Sequence, residues 1–283
     1  MEIWKENLLS HALSRHSLGR RLLKKLGPSL VQREFTLEGK TISMALDLED
    51  RWGVSKHLLK HGDYDPELTK VAKKLCPPGA IALDVGANIG YWTTFLAKVC
   101  QCRSIKSFEP HPANLKLLKM NVALNGIENQ VEIIAKGLSS QAGAEKLYQS
   151  DDNSGDHQLY SSPGREYIEV ETENFDLSYP NTAIDFIKID TQGYEGHVLK
   201  GLEQTLKNNQ GVKIIMEFWP HGLKAAGSDP RLVVDQLRSL GFLLWAVVPN
   251  STEIRKVDTN SVMSLCEGEV HTDLISSRTT LSI

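Results

Sequence analysis

Residues 83–90 read LDVGANIG. An acid, Asp84, sits near the end of an apolar run, and Gly86, Asn88 and Gly90 follow at every second position. In an open α/β sheet, ligands bind at the turns beyond the carboxyl ends of the strands. Gly86 lets the chain bend there, and Gly90 permits close helix packing. Asn88 is a non-glycine residue that tolerates a left-handed backbone, and Ala87 and Ile89 complete the turn. A second acid, Glu109, stands 23 residues after Gly86 in SFEPHP, near the spacing at which a carboxylate accepts ribose hydroxyls. Asp190 closes FIKID, Glu195 follows at a helix start, and Glu217 and His221 lie in IIMEFWPH. All four fall at or just past strand-like runs, where a general base could meet a substrate, and are candidates in that order.

The glycine spacing discriminates between cofactors. A dinucleotide fingerprint is G-x-G-x-x-G, with the pyrophosphate on a helix N-terminus. Here the spacing is G-x-N-x-G, and Asp84 would add negative charge beside a pyrophosphate. An acid suits a ligand with a positive end. S-adenosylmethionine carries an ammonium and a sulfonium and no phosphate, so the turn reads as its site and not as a nicotinamide site. Each acid also has a structural reading. Glu109 could be a solvated loop carboxylate, Asp190 could hold a neighbouring backbone, and Glu195 could favour a helix dipole. Glu217 could be a buried acid paired with a lysine, and His221 an exposed loop histidine. Carboxylates without a ligand cluster do not argue for a metal, and none is expected.

These residues need strands and helices to position them. Apolar runs at IALDV, SIKSFEP, VEIIAKG, DFIKID, VKIIMEFW and FLLWAVV read as strands, with a last one near residues 273–277. Helical patterns lie between them at 90–99, 112–124, 194–207 and 230–240. Strands without alternation, separated by helices, predict a parallel sheet covered on both faces. Ahead of it, Phe35 and Leu37 alternate, Glu38-Gly39-Lys40 turns, and Ile42, Met44 and Leu46 alternate again, which predicts a hairpin. Helices are expected at 51–61 and from Pro66 to Leu75, the second with Asp65 as its N-cap. Cys76-Pro77-Pro78-Gly79 marks a boundary between an appendage, 1–75, and the main domain, 76–283. The polar stretch QSDDNSGDHQLYSSPGREY, 149–167, reads as an exposed loop, with Asn153, Gly155 and His157 as parts of a possible lid.

Composition narrows the classes. The chain has 283 residues, 41% of them hydrophobic, and a formal net charge of -3, so no broad basic face argues for nucleic acid. Residues 1–26 form an amphipathic helical pattern with a basic face. Contact with an anionic membrane surface is one use of such a helix, but Glu2 and Glu6 fit an arm packed on its own domain better. No run approaches a membrane span. Cys100 and Cys102 are too close for a zinc pair, and the four cysteines read as reduced thiols of an intracellular, cytoplasmic protein.

LDVGANIGYW, SFEPHPANLKLLKMNVALNG and FIKIDTQGYEGHVLKG, in this order and spacing, resemble the FkbM family of S-adenosylmethionine-dependent methyltransferases. The resemblance implies a Rossmann-like class I methyltransferase sheet of seven mostly parallel strands, the last antiparallel. It implies methyl transfer, commonly to a hydroxyl of a sugar, glycan, natural product or other small molecule. Asp84, Gly86, Ala87, Asn88, Ile89 and Gly90 match the methionine end of the cofactor site, and Glu109 the ribose acid. Gly137 and Leu138 fall beside the adenine, and Asp190, Gly193 and Glu195 match the fourth-strand motif. Gln192 stands where many members have Glu. An N-methyltransferase of the same fold, or a non-catalytic protein that keeps the cofactor site, are the alternatives.

Overall fold

The computed structural model describes residues 30–151, 153–249 and 251–281. The amphipathic stretch 1–26 lies outside the described residues. Strands β1 (Leu30–Leu37) and β2 (Lys40–Asp47) form the expected hairpin, paired antiparallel from Leu30↔Asp47 to Leu37↔Lys40. Glu38 and Gly39 both take positive φ, the two-residue turn whose twist matches that of its strands. Two helices follow, α1 (Val54–His61) and α2 (Pro66–Leu75). Asp65 precedes α2, but its side chain makes no cap hydrogen bond and its φ is 50°, so the expected N-cap role is corrected.

The main sheet begins with β3 (Ile81–Val85), α3 (Tyr91–Lys98), β4 (Ser104–Phe108), α4 (Pro112–Asn125) and β5 (Val131–Ile134). Next comes a feature that the sequence reading passed over. Strands β6 (Gly137–Leu138), β7 (Gly143–Tyr148) and β8 (Tyr167–Glu173) form a separate three-stranded sheet in the order β6-β8-β7. Helix α5 (Phe175–Ser178) leads back to β9 (Phe186–Ile189), α6 (Glu195–Gly201), α7 (Glu203–Asn208) and β10 (Lys213–Phe218). The expected single helix at 194–207 is therefore two. Asp176 of α5 accepts the backbone N–H groups of Gln204 and Thr205, which starts α7 afresh. Helices α8 (Pro220–Ala225) and α9 (Pro230–Ser239), strands β11 (Leu243–Val247) and β12 (Ile254–Val257), helix α10 (Thr259–Leu265) and β13 (Thr272–Ser277) complete the chain.

The large sheet has eight strands in the order β12-β11-β13-β10-β9-β3-β4-β5. The seven expected strands are present, and β13 is antiparallel to both neighbours, β10 and β11. The eighth, β12, is an additional antiparallel edge strand. From β3 the chain winds outward to β4 and β5, then returns to β9 on the other side of β3. That reversal puts a crevice at the carboxyl ends of β3 and β9. Each face of the sheet carries its own core. One joins the hairpin, α1, α2, α3 and α4, and the other joins the helices from α5 to α10.

The hairpin is stitched to the core by side-chain amides. Asn121 of α4 is fully buried, accepts the Ala45 N–H at 2.6 Å and donates to the carbonyls of Ala45 and Ile89. Asn125, one turn on, does the same for Ser43 N–H and C=O. The exposed hydrogen-bonding edge of β2 is thereby satisfied, and the loop after β3 is fixed by the same amide. Asn121→Ala leaves three buried backbone groups without partners. It should cost about 2–3 kcal/mol in urea unfolding, more than truncation of an exposed polar residue on the same helix.

Candidate functional site

The glycine turn, the end of β4 and the end of β9 surround a cleft at the reversal point. Its wall includes Gly86, Ala87, Asn88 and Ile89 from the turn, Glu109, Gly137 and Leu138 beside them, and Asp190 and Gln192 opposite. Gly86 has φ 83°, and a Cβ there would lie 1.9 Å from the Asp190 carbonyl oxygen. Its closest approach is thus to the neighbouring strand. Gly90, φ 88°, precedes α3, and a Cβ would meet Leu118 of α4 at 2.6 Å, which is the helix contact expected from sequence. Asn88 is left-handed, φ 50°.

The turn's backbone donors are all engaged inside the protein. Gly86 and Ala87 N–H both donate to the Phe108 carbonyl. Asn88 N–H donates to Glu109 Oε2 at 2.8 Å, Ile89 N–H to the Asn88 side chain, and Gly90 N–H to the Ala87 carbonyl. A pyrophosphate cradle needs such N–H groups free. Glu109 is 5% exposed and also accepts the His111 N–H at 2.8 Å. Burial pushes its carboxyl up to about 7, against the pull of these donors. Its remaining lone pairs border the cleft, where a diol could donate to them.

Asp84 is placed differently from the expectation. It is 1% exposed, is absent from the cleft wall, and accepts a 2.5 Å hydrogen bond from Thr93 of α3. It ties β3 to α3 behind the turn and offers a ligand no direct contact. Burial pushes its carboxyl up to about 6.

The four candidate bases separate. Asp190 lies in the wall and is bonded to Lys188 Nζ at 3.2 Å and to Gln192 Nε2 at 2.9 Å. Burial opposes its charge, but Lys188 and the Gln192 amide outweigh that and hold the carboxyl low. Glu217 accepts from the same Gln192 Nε2 at 3.1 Å, so one amide bridges two carboxylates. Burial and then the charge of Asp190 push Glu217 well up. Glu195 is fully buried. Its Oε1 takes three bonds, from Thr191 N–H and Oγ1 and from Gly193 N–H, so it closes the 191–193 loop and stays out of the cleft wall. His221 is on α8, not in a loop, exposed and packed on Trp219. Glu217 also lies outside the cleft wall, but it is joined to the wall through Gln192 and its side chain keeps 14% exposure, whereas Glu195 is fully enclosed. Among the described residues, no group of three His, Cys, Asp or Glu side chains is arranged to hold a metal.

Several site residues went unread in the sequence. Lys188 is a buried lysine in an otherwise apolar strand, and that interruption was the available signal. It faces four acids, Asp190, Asp273, Asp65 and Glu217, which together keep its pKa raised despite burial. Tyr64, Trp92 and Val54 extend the cleft wall on this side. The loop expected to be exposed instead crosses the cleft. Ser154, Gly155, His157 and Leu159 all line it. His157 stacks on His111 at 3.9 Å, and burial and the neighbouring ring push it down to about 3.

The sequence matches the methyltransferase FkbM domain family over residues 84–244. The chain belongs to this family. Methyltransferase sdnD of Sordaria araneosa is 28% identical over 185 residues, 52% of this chain and 70% of that protein. Among solved structures, methyltransferase FkbM from Methylobacillus flagellatus KT is 15% identical, with a TM-score of 0.45 over 70% of this chain and 43% of that one. This FkbM-family chain therefore spans less than half of that structure. TYW2 of M. jannaschii, in complex with AdoMet, is 13% identical, with a TM-score of 0.43 over 89% and 87% of the two chains. No helix among the described residues is long and apolar enough to cross a membrane. The four cysteines are free and buried.

The buried acid of the FkbM motif gives a test. Asp84 holds its proton more tightly folded than unfolded, where a carboxyl titrates near 3.8. Its contribution is therefore most favourable below about pH 4 and is lost as pH rises through about 6. Asp84→Asn keeps an oxygen for Thr93 and has no charge to bury. It should gain about 1–3 kcal/mol relative to wild type between about pH 5 and about pH 8, read by urea unfolding at both.

Proposed function

We propose that this protein is an S-adenosylmethionine-dependent methyltransferase that acts on a hydroxyl of a small-molecule or glycan acceptor. The observation that carries the cofactor assignment is the internal engagement of every N–H from Gly86 to Gly90, beside a buried acid at the ribose position. That suits a nucleoside without a pyrophosphate. Glu109 would accept the ribose hydroxyls, Gly137 and Leu138 would face the adenine, and the turn would receive the methionine end. Bound there, S-adenosylmethionine supplies a methyl group on a good leaving group.

The chain's own task is to orient an acceptor and take its proton. Asp190 is held charged by Lys188 and is a weak base. Among the described residues no cation lies within hydrogen-bond reach of Glu217; His271 Nε2 is 4.0 Å away. Its raised pKa makes it the stronger base of the two carboxylates. Gln192 holds Glu217 and Asp190 at a fixed separation with a single NH₂ group. The surplus of acid around Lys188 also favours a second reading, in which the acceptor is an amine that arrives as a cation.

Three measurements test this. Methyl-labelled cofactor supplied with hydroxyl and amine acceptors should label the hydroxyl class. Glu217→Gln should lower kcat by about 10²–10⁴-fold with cofactor affinity unchanged. Labelling of amines alone would move the assignment to N-methylation, and NADH binding would remove the cofactor assignment altogether. The ribose contact needs the Glu109 carboxylate, so affinity for S-adenosylmethionine should weaken as pH falls below about 7. Calorimetry on Glu109→Gln should show weaker binding with that pH dependence flattened.

A further inference from the structure

The segment 149–158, QSDDNSGDHQ, contains no apolar side chain, yet Ser154, Gly155 and His157 from it line the cleft. Hydrophobic burial cannot hold it there. Its ends are fastened by the Gln149–His111 bond, the Tyr148–Gln158 backbone pair and the Asp156–Arg165 ion pair, and its middle is fastened at Ser154. Asp50 lies in the connection between β2 and α1, 104 residues away in sequence and 7% exposed. Its Oδ1 accepts Gly53 N–H at 2.9 Å and Ser154 N–H at 3.1 Å. Its Oδ2 accepts Ser55 N–H at 3.0 Å and Ser154 Oγ–H at 2.9 Å. Each oxygen is thus shared between the start of α1 and the strap. The Ser154 carbonyl accepts Asn88 Nδ2 at 2.7 Å and Asn114 Nδ2 at 3.0 Å. There is no room for a side chain at the joint: a Cβ on Gly53 would meet Asp50 at 2.5 Å and Ser154 Oγ at 2.7 Å.

We infer that Asp50 is a positioning residue that latches the strap 153–158 across the cofactor cleft, so that cofactor exchange waits on release of Ser154. The inference rests on the reading of this cleft as the cofactor site. With its far end held by the Asp156–Arg165 ion pair and the Tyr148–Gln158 backbone bonds, the strap can open at Ser154 at small cost, because the N–H and C=O groups there pass to water and no apolar side chain is drawn out. Its position makes it a gate. Ser154 and Gly155 face the cleft from one side and the glycine turn from the other. Asn88 links the two elements directly, since its backbone N–H holds Glu109 while its side chain holds Ser154.

Three variants and two readouts test the latch. Asp50→Ala removes both strap bonds but also two bonds at the start of α1. Ser154→Ala removes only the hydroxyl bond and leaves α1 intact. Hydrogen exchange of peptides covering 149–158 and 53–61 reports the strap and α1 separately. Dissociation of S-adenosylhomocysteine, chased by stopped flow, reports the gate. Ser154→Ala should speed strap exchange without touching α1, and should speed dissociation by about 3–10-fold. Asp50→Ala should exceed it in both, and Asp50→Asn should recover part of the loss. Faster strap exchange with unchanged dissociation would overturn the gate while leaving the cofactor reading intact. Strap exchange at the wild-type rate in both alanine variants would overturn the latch. A wild-type protein that binds no S-adenosylhomocysteine would overturn the cofactor reading, and the gate with it.

Discussion

The site depends on the close approach of Gly86 to the carbonyl of Asp190. Strands β3 and β9 stay paired to Val85↔Ile189, and Asp190 N–H then donates to Val85 O. With the backbones this close, no side chain fits at position 86, and the chain must turn toward β4. Its N–H groups therefore fall on Phe108 O and on Glu109. One steric constraint thus determines both what the turn cannot offer, a free N–H cradle, and what it holds, a buried acid. The crevice is the space left where β4 and β9 diverge on either side of β3.

Electrostatics divides this crevice into two ends. At the ribose end a single acid is surrounded by backbone donors. At the other end stands Asp190, and behind it Asp65, Glu217 and Asp273 share the field of Lys188; among the described residues only Asp190 is bonded to that lysine. Asp65, Glu217 and Asp273 are consequently raised, with burial as the first cause in each case. Carboxyls raised in this way are stronger bases than free ones, which a hydroxyl acceptor needs, and they welcome a cation, which an amine acceptor would bring. Gln192 matters to this balance. A third carboxylate at its position would add charge, whereas its amide donates to two acids at once. Gln192 holds φ 53° to do so.

The parts of the fold that sequence made legible are those where a residue's local conformation and its role coincide. Apolar strands such as Phe186–Ile189 are buried at every position, and Pro112 and Gly126 bound α4 as their backbone preferences require. Strand β7 was hidden because its first four residues are exposed, so it carries no apolar run. Its partner did leave a signal: Ile168, Val170 and Thr172 alternate with glutamates. At the site, sequence located the acids but not the direction of their oxygens. Asp84 points back at Thr93, and Glu195 folds onto its own loop. Asp50 was illegible for a different reason. A polar residue in a short connection looks solvated until its partner, 104 residues on, is known to sit above it.

Asn88 explains why the turn reads G-x-N-x-G. Glycine would adopt its φ of 50° with less strain. Glycine has no side-chain amide, however, and would keep only the backbone one of the three bonds that pass through Asn88. Its N–H fixes Glu109, its Oδ1 accepts Ile89 N–H, and its Nδ2 reaches the Ser154 carbonyl. The chain Asp50–Ser154–Asn88–Glu109 therefore runs from the appended hairpin and α1 to the buried acid without an apolar contact. Hydrogen bonds are directional, so a strap built from them closes in one register and reopens without leaving hydrophobic surface behind. The asparagine that breaks the glycine pattern is what joins the cofactor turn to its cover.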